Sequence, residues 1–541
     1  MRKKTIAQCI ILAFACGTTT LSLAANVPSN LTLAKKQKVV IGNGTEVATI
    51  DPAKASGVPE GNVIDQLMEG LTNQDGNGNI VPGVAKSWET KDNEVYTFHL
   101  RPDAKWSNGD LVTAKDFVYG WERSVDPVTA SPYAWYVAFS KIKNAQAIID
   151  GKKDKSTLGV KALDDHTLEV TLSEPIPYFT KMTNNMIFMP IHKATVEKYG
   201  EKWTKPEHFI GNGAYKLARW VVNERMELVR NPNYWDNKHT VIDHATYLPI
   251  ENPIAEMNRY LSHEVDITSG VPNEQFHRLQ KEYPDDLSIH GSLCTYYYQF
   301  NAKKKPFDDV RVRKAMSYAV DRDIIANAIL GQGQKPAYFL TPEITANFTP
   351  VFPPYAKMSQ KERNNEAIRL LKEAGYDKDH PLSFSILYNT SENHKKLAIA
   401  ISSMWKKTLG VKTKLENKEW KTYLESQREG DFQVVRAGWC ADYNEPSSFL
   451  GLMTTAYKGG GAQWGNKDYD ALINKALKET SPDKRSQDYL DAEKMLADEM
   501  PIIPIYQYVT TQLVNPQVGG FPAGNAQNKV YVKDLYIKAK K

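Results

Sequence analysis

The residues best suited to chemistry stand in one run, Arg436-Ala-Gly-Trp-Cys-Ala-Asp-Tyr-Asn-Glu-Pro446. Asp442 lies there just past a predicted strand, beside Trp439, Cys440 and Tyr443. An acid among aromatic rings suits the capture of an amine. The run supplies no nucleophile, general base or metal cluster, so it points to binding a cationic group and not to transforming it.

Such groups need a scaffold, and the stretch from 383 to 436 predicts one. Ser383 to Asn389 predicts a strand. Leu397, Ile401, Met404 and Thr408 recur at helical spacing, and Gly410 marks that helix's stop. Val411 to Leu415 predicts the next strand, Tyr423 to Arg428 a short helix, and Phe432 to Val435 a third strand. This β-α-β-α-β alternation implies a sheet with parallel neighbours, where ligands gather beyond the carboxyl ends of the strands. Asn389 to His394 and Arg436 to Asp442 lie at such ends, which groups His394, Arg436 and Asp442 as one candidate site. The first third of the chain looks β-rich, with Val39-Val40-Ile41 leading into Gly42 and Val95 to Leu100 alternating as a strand does. Gly76-Asn77-Gly78 and Gly331-Gln332-Gly333 do not continue to a dinucleotide fingerprint and read as turns. Lys303-Lys304-Lys305 reads as a solvated turn.

The amino terminus has the form of an export signal. Arg2, Lys3 and Lys4 precede the apolar run Ile6 to Ala15, and Ser22-Leu23-Ala24 offers small residues for cleavage. Cleavage leaves Ala25 to Lys541 as an exported chain. The competing expectation is lipid attachment at Cys16, for which Ala13-Phe14-Ala15 is a poor leader. The formal charge of +5 falls to +2 with the three basic residues of the signal, which argues against a nucleic-acid partner. Of four cysteines, Cys9 and Cys16 leave with the signal. The remaining pair, Cys294 and Cys440, reads as one disulfide in an oxidising compartment. The chain is long enough for more than one domain. No Gly-x-Ser-x-Gly elbow, Walker loop, His-Glu-x-x-His or EF-hand loop occurs, and the 11 histidines lack metal-ligand spacing. An enzyme, a metal and a cofactor are therefore not expected.

Longer motifs carry a family resemblance. Ser87-Trp88, Tyr96-Thr97-Phe98-His99-Leu100-Arg101, Lys105-Trp106, Thr113-Ala114-Lys115-Asp116-Phe117, Gly211-Asn212-Gly213-Ala214-Tyr215, Asn231-Pro232-Asn233-Tyr234-Trp235 and Val310-Arg311-Val312-Arg313-Lys314-Ala315 resemble the extracytoplasmic peptide-binding receptors of ABC importers, the family 5 solute-binding proteins. The resemblance runs from Val27 to Lys541 and touches both the oligopeptide and the murein-tripeptide branches. It implies a periplasmic-binding-protein-like α/β fold of two lobes that close on the ligand, plus an additional β-rich domain. Lobe I would combine 25–68, 193–293 and 510–541; the additional domain would be 69–192; lobe II would be 294–509. The implied partners are short peptides of roughly two to five residues, paired like an added strand, and the permease subunits of an importer. The implied state is a monomer.

By the same resemblance, Ser56-Gly57-Val58 and Gly438-Trp439-Cys440 would pair with the ligand backbone. Asp442 would hold its ammonium, with Tyr133 packing near its first residue. Arg436 and His394 match positions that receive the ligand carboxylate at different peptide lengths, and Trp420, Trp439 and Tyr297 would wall the side-chain pockets. Each has a structural alternative: Asp442 as a cap, Arg436 paired internally with an acid, His394 as a helix-start residue, Trp420 and Tyr297 as core. The chain departs from the oligopeptide-binding pattern at Ser56 and Gln299, where acids are usual, and at Leu330 and Gln427, where a lysine and an arginine are usual. Ser269-Gly270 replaces a Tyr-Asn pair. Losing two acids implies a weaker preference for basic peptides, and Leu330 in place of a lysine a weaker hold on one peptide length. The arginine usual at Gln427 is also part of the murein-peptide pattern, so its absence counts against a cell-wall tripeptide specialist, the alternative ligand class.

Overall fold

The computed structural model describes residues 25–377, 379–457 and 461–540. The expected signal at 1–24, with Cys9 and Cys16, lies outside the described residues. Three sheets of four or more strands organise the chain. The first has the order Lys38–Gly42, His244–Leu248, Arg225–Arg230, Tyr215–Val221. Its first two strands run parallel from Lys38 opposite His244, and the others are antiparallel. Helix Val58–Leu67 opens with Pro59, whose fixed φ suits a first turn, and buries Val63, Ile64 and Leu67 in the core of this sheet.

The 69–192 segment is more mixed than its sequence suggests. Its antiparallel sheet runs Ala85–Lys91, Val95–Leu100, Thr167–Thr171, Val160–Asp164. Helix Ala114–Val125 packs on it, started by a reciprocal Thr113–Asp116 capping box and burying Phe117 and Trp121. Short helices at Ala134–Phe139, Ala145–Ile149 and Phe179–Met182 complete the segment.

The third sheet has six strands, ordered Lys335–Pro336, Ile502–Leu513, Leu287–Phe300, Val434–Cys440, Ser383–Asn389, Lys412–Lys418. Ser383–Asn389 is parallel to both Lys412–Lys418 and Val434–Cys440. The intervening helices are Glu392–Leu409, closed by left-handed Gly410, and Trp420–Glu429. The expected alternation is thus present, but the third strand extends five residues beyond Val435. The strand pairs antiparallel with Cys294–Phe300, which sets Cys294 opposite Cys440, and the two form the disulfide. Leu287–Phe300 and Ile502–Leu513 pair along most of their length, with a register break between Gly291 and Thr295. Beyond that break, Ile267 bridges both Ile41 and Val514, which ties the long pair to the first sheet.

The first and third sheets have separate apolar cores, one around Ile64, Tyr215 and Tyr247, the other around Phe300, Phe384, Ile401 and Trp405. The largest core joins Phe98, Trp121 and Phe188 of the 69–192 segment to Tyr443, Phe449, Tyr469 and Tyr489. No described helix is long and apolar enough to cross a membrane.

Candidate ligand-binding site

A cavity of about 550 Å³ opens between the 69–192 segment and the carboxyl ends of the parallel strands of the first and third sheets. All twelve residues selected from the sequence line it: Ser56, Gly57, Val58, Tyr133, Tyr297, His394, Trp420, Arg436, Gly438, Trp439, Cys440 and Asp442. Asn43, Ile250 and Glu251, just past the first sheet's parallel strands, face it from the other side. This is the position strand-end geometry favours for a ligand.

Asp442 sits two residues past the end of Val434–Cys440 and is oriented from several sides. Its backbone N–H donates to Ser448 Oγ at 2.8 Å. Tyr133 Oη donates to its carboxylate at 3.1–3.2 Å, and Asn185 Nδ2 donates to Oδ1 at 2.7 Å. Burial raises its pKa to about 7, although Tyr133, Lys529 and Asn185 all favour the charged form. Lys529 lines the same end of the cavity, 3.2 Å from Asp65. The acid is thus no helix cap: it faces the cavity among donors that leave part of its acceptor capacity unused. Tyr133 stacks on Trp439 with centroids 6.2 Å apart and planes 8° apart, and Trp135 and Tyr457 pack on the same indole.

At the other end stands a buried cation without an acid. Arg436 donates to Asn389 Oδ1 at 3.2 Å and to Tyr508 Oη at 3.0 Å, with its guanidinium 4.9 Å from the Tyr296 ring centre. Its Nε is buried without a partner. Among the described residues no carboxylate pairs with it, so the internal-pair alternative does not hold. A guanidinium this desolvated fits an incoming carboxylate. His394 opens helix Glu392–Leu409, and its N–H is capped by Ser391. Burial, reinforced by the Arg436 charge, pushes its pKa well below the usual histidine range. It is a neutral imidazole at pH 7, able to donate one hydrogen bond but no positive charge.

The two backbone segments differ. Val434–Cys440 pairs with Ser383–Asn389 only through Val434 and Val435. From Arg436 to Cys440 its outer edge has no strand partner among the described residues, so it is open to an added strand. Opposite, Gly57 is extended as the residue before helix Val58–Leu67. Val58, expected to belong to this segment, is instead the first residue of that helix. A Cβ on Gly57 would press on the Glu60 carboxylate and lie 2.9 Å from Trp420 Cζ2, so a side chain here must displace those groups. Trp420 stacks on Tyr423 and donates to Glu60 Oε1 at 3.3 Å. Tyr297 is buried in the largest core as well as lining the cavity.

Of the departures from the family pattern, Ser56, Ser269, Gly270 and Gln427 line the cavity. Leu330 and Gln299 do not. Leu330 belongs to the apolar core of the third sheet, and Gln299 is buried within that sheet opposite Val435 and Ile502. These two substitutions therefore do not thin the cavity wall. Residues the sequence did not single out include Asn185, Lys529, Asp65 and Tyr508. They come from remote segments without a local motif; an Asn at the start of a helical turn is the only signal any of them gives. Among the described residues no group of three or more His, Cys, Asp or Glu is placed to hold a metal.

This geometry has counterparts in known proteins. Over 515 residues, the chain is 52% identical to the periplasmic oligopeptide-binding protein of Salmonella typhimurium, covering 95% of each. Its structure resembles the Escherichia coli murein tripeptide-binding protein with TM-score 0.93, at 48% identity over 94% of this chain and 100% of that one. It also resembles the Haemophilus influenzae oligopeptide-binding protein complexed with the peptide RPPGFSPFR, with TM-score 0.91 at 47% identity over 94% and 100%. Against the unliganded open form of the murein tripeptide-binding protein the TM-score is 0.67 at the same 48% identity, over 95% and 99%. The arrangement of this chain thus differs from that open form. Residues 79–461 match the bacterial extracellular solute-binding proteins, family 5 Middle, and the chain belongs to that family.

Proposed function

We propose that this chain is the periplasmic receptor that captures short peptides and delivers them to the permease of an ABC importer. The carrying observation is the open strand edge Arg436–Cys440, bracketed by an acid at one end and an unpaired guanidinium at the other. A peptide's invariant groups are its backbone, its ammonium and its carboxylate, and the cavity offers one complement to each. Arg436 folds back so that Nη2 would lie 3.2 Å from a Cβ on Gly438. Asp442 is four residues further on, two of them past the strand end, so at most about 13 Å. A contact of about 3 Å at each end leaves about 7 Å, roughly two extended residues, so the separation suits the short end of the expected range. His394, neutral and beyond Arg436, supplies a donor for longer ligands.

The division into lobes 25–68/193–293/510–541 and 294–509 is supported by the register break between Gly291 and Thr295 in the long strand pair. The additional domain 69–192 contributes Tyr133 to the ammonium end. Polar, roomy pockets around Ser56, Ser269, Gly270 and Gln427 favour tolerance of varied side chains through bridging water. Binding without turnover, a cleaved signal near Ala24 and a monomeric state complete the proposal. Unfolding the purified protein and identifying what it releases tests this: a family of short peptides of varied sequence supports it. A single compound, or the cell-wall tripeptide alone, overturns the claim of broad selectivity.

A further inference from the structure

Asp442 and the groups that orient it come from distant parts of the chain. Asn185, 6% exposed, belongs to the 69–192 segment, and its side-chain direction is fixed by its own neighbour. Asn185 Oδ1 accepts the Ile187 N–H at 2.9 Å, so the atom facing Asp442 at 2.7 Å is the Nδ2 donor. A donor held in that way favours a carboxylate over a neutral carboxyl. Tyr133 Oη adds a second donor from the same segment. The other titratable groups facing Asp442 are Tyr136, Tyr443 and Tyr457, all neutral at pH 7 because burial raises them, and Lys529, whose charge is shared with Asp65.

We propose that Asn185 is a positioning residue for peptide binding, which completes the ammonium site by holding the Asp442 carboxylate charged and aimed. The proposal rests on Asp442 being the ammonium acceptor. Asn185 does not touch the peptide; it acts through Asp442. Asn185 and Tyr133 reach Asp442 from the 69–192 segment, whose apolar core is continuous with Tyr443 and Phe449, so the packing of that segment orients the acid.

The test separates this role from the underlying assignment. Asn185→Ser keeps an oxygen that caps the Ile187 N–H but is too short to reach Asp442. Asn185→Asp keeps the cap and sets a second acid against the first. Calorimetric titration of trialanine and N-acetyl-trialanine is run from pH 5 to 8.5 on all three proteins. The expected result is that N185S binds trialanine about tenfold more weakly at pH 7, with the acid limb of its pH profile moved up by about one unit. The alkaline limb, set by the peptide's own amine, stays in place. N185D moves the acid limb further in the same direction, and N-acetyl-trialanine responds to neither variant. An unmoved acid limb in both variants, or equal weakening of both peptides at every pH, overturns the role of Asn185 while leaving the ammonium assignment intact. Equal affinity of the wild type for both peptides removes that assignment, and the inference with it.

Discussion

Peptide affinity should fall steeply as pH drops below 7, and the slope follows from Asp442. Its carboxyl, normally half-ionised near 3.8, is raised to about 7 chiefly by burial. The bound peptide ammonium requires the ionised form, so binding draws the pKa down and releases a proton. The sign is fixed: affinity rises with the ionised fraction and is lost as pH falls through about 7. About half of Asp442 is ionised at pH 7 and about one hundredth at pH 5. The ratio is roughly 50-fold, about 2.3 kcal/mol. The peptide's own α-amine, with a pKa of about 7.7–8.0, remains protonated over this range and does not offset the loss. Calorimetry in buffers of different ionisation enthalpy should detect about 0.9 proton released per peptide at pH 6. Asp442→Asn should abolish both the slope and the proton release. The same variant should raise the melting temperature of the unliganded protein at pH 7. A carboxylate whose folded pKa lies above its unfolded value opposes folding once pH exceeds the unfolded value. Affinity that stays constant from pH 7 to 5, with no proton release, refutes the assignment of Asp442.

Three further outcomes are expected. Arg436→Met should weaken tripeptides with a free carboxylate by about 2–5 kcal/mol while leaving the corresponding amides unaffected, measured by calorimetry. Gly57→Ala should reduce affinity about tenfold or more, because the new methyl meets Glu60 and Trp420; small-angle scattering should show a smaller peptide-induced compaction than in the wild type. Replacing Cys294 and Cys440 together with serine should lower stability in denaturant titration by up to about 5 kcal/mol, the chain-entropy value for a separation of 146 residues, with little change in peptide affinity.

What the sequence revealed followed local patterning. Val95–Leu100 alternates cleanly and is a strand with those bounds. The helix carrying Leu397 and Ile401 stops where Gly410 adopts the left-handed conformation. The strand ending at Cys440 extends beyond its predicted end because Ala437 and Gly438 have weak strand preference, and pairing with Cys294–Phe300 supplies what local propensity lacks. Helix Trp420–Glu429 begins earlier than periodicity suggests, since Glu419, an unusual cap, accepts from Lys421 and Thr422. Motif resemblance brought twelve residues to one cavity, but depth was not legible: Leu330 and Gln299 face the interior. Asn185 and Lys529 meet Asp442 only through tertiary folding, across separations that no local pattern encodes.

The most direct test is titration of refolded, ligand-free protein with a set of tripeptides. The set contains neutral and basic central residues, their N-acetylated and amidated forms, and L-Ala-γ-D-Glu-diaminopimelate. Tight binding of ordinary tripeptides, little dependent on the central residue and lost when either terminus is blocked, is the predicted result. Equal binding of blocked and free peptides, or binding of the cell-wall tripeptide alone, would contradict it.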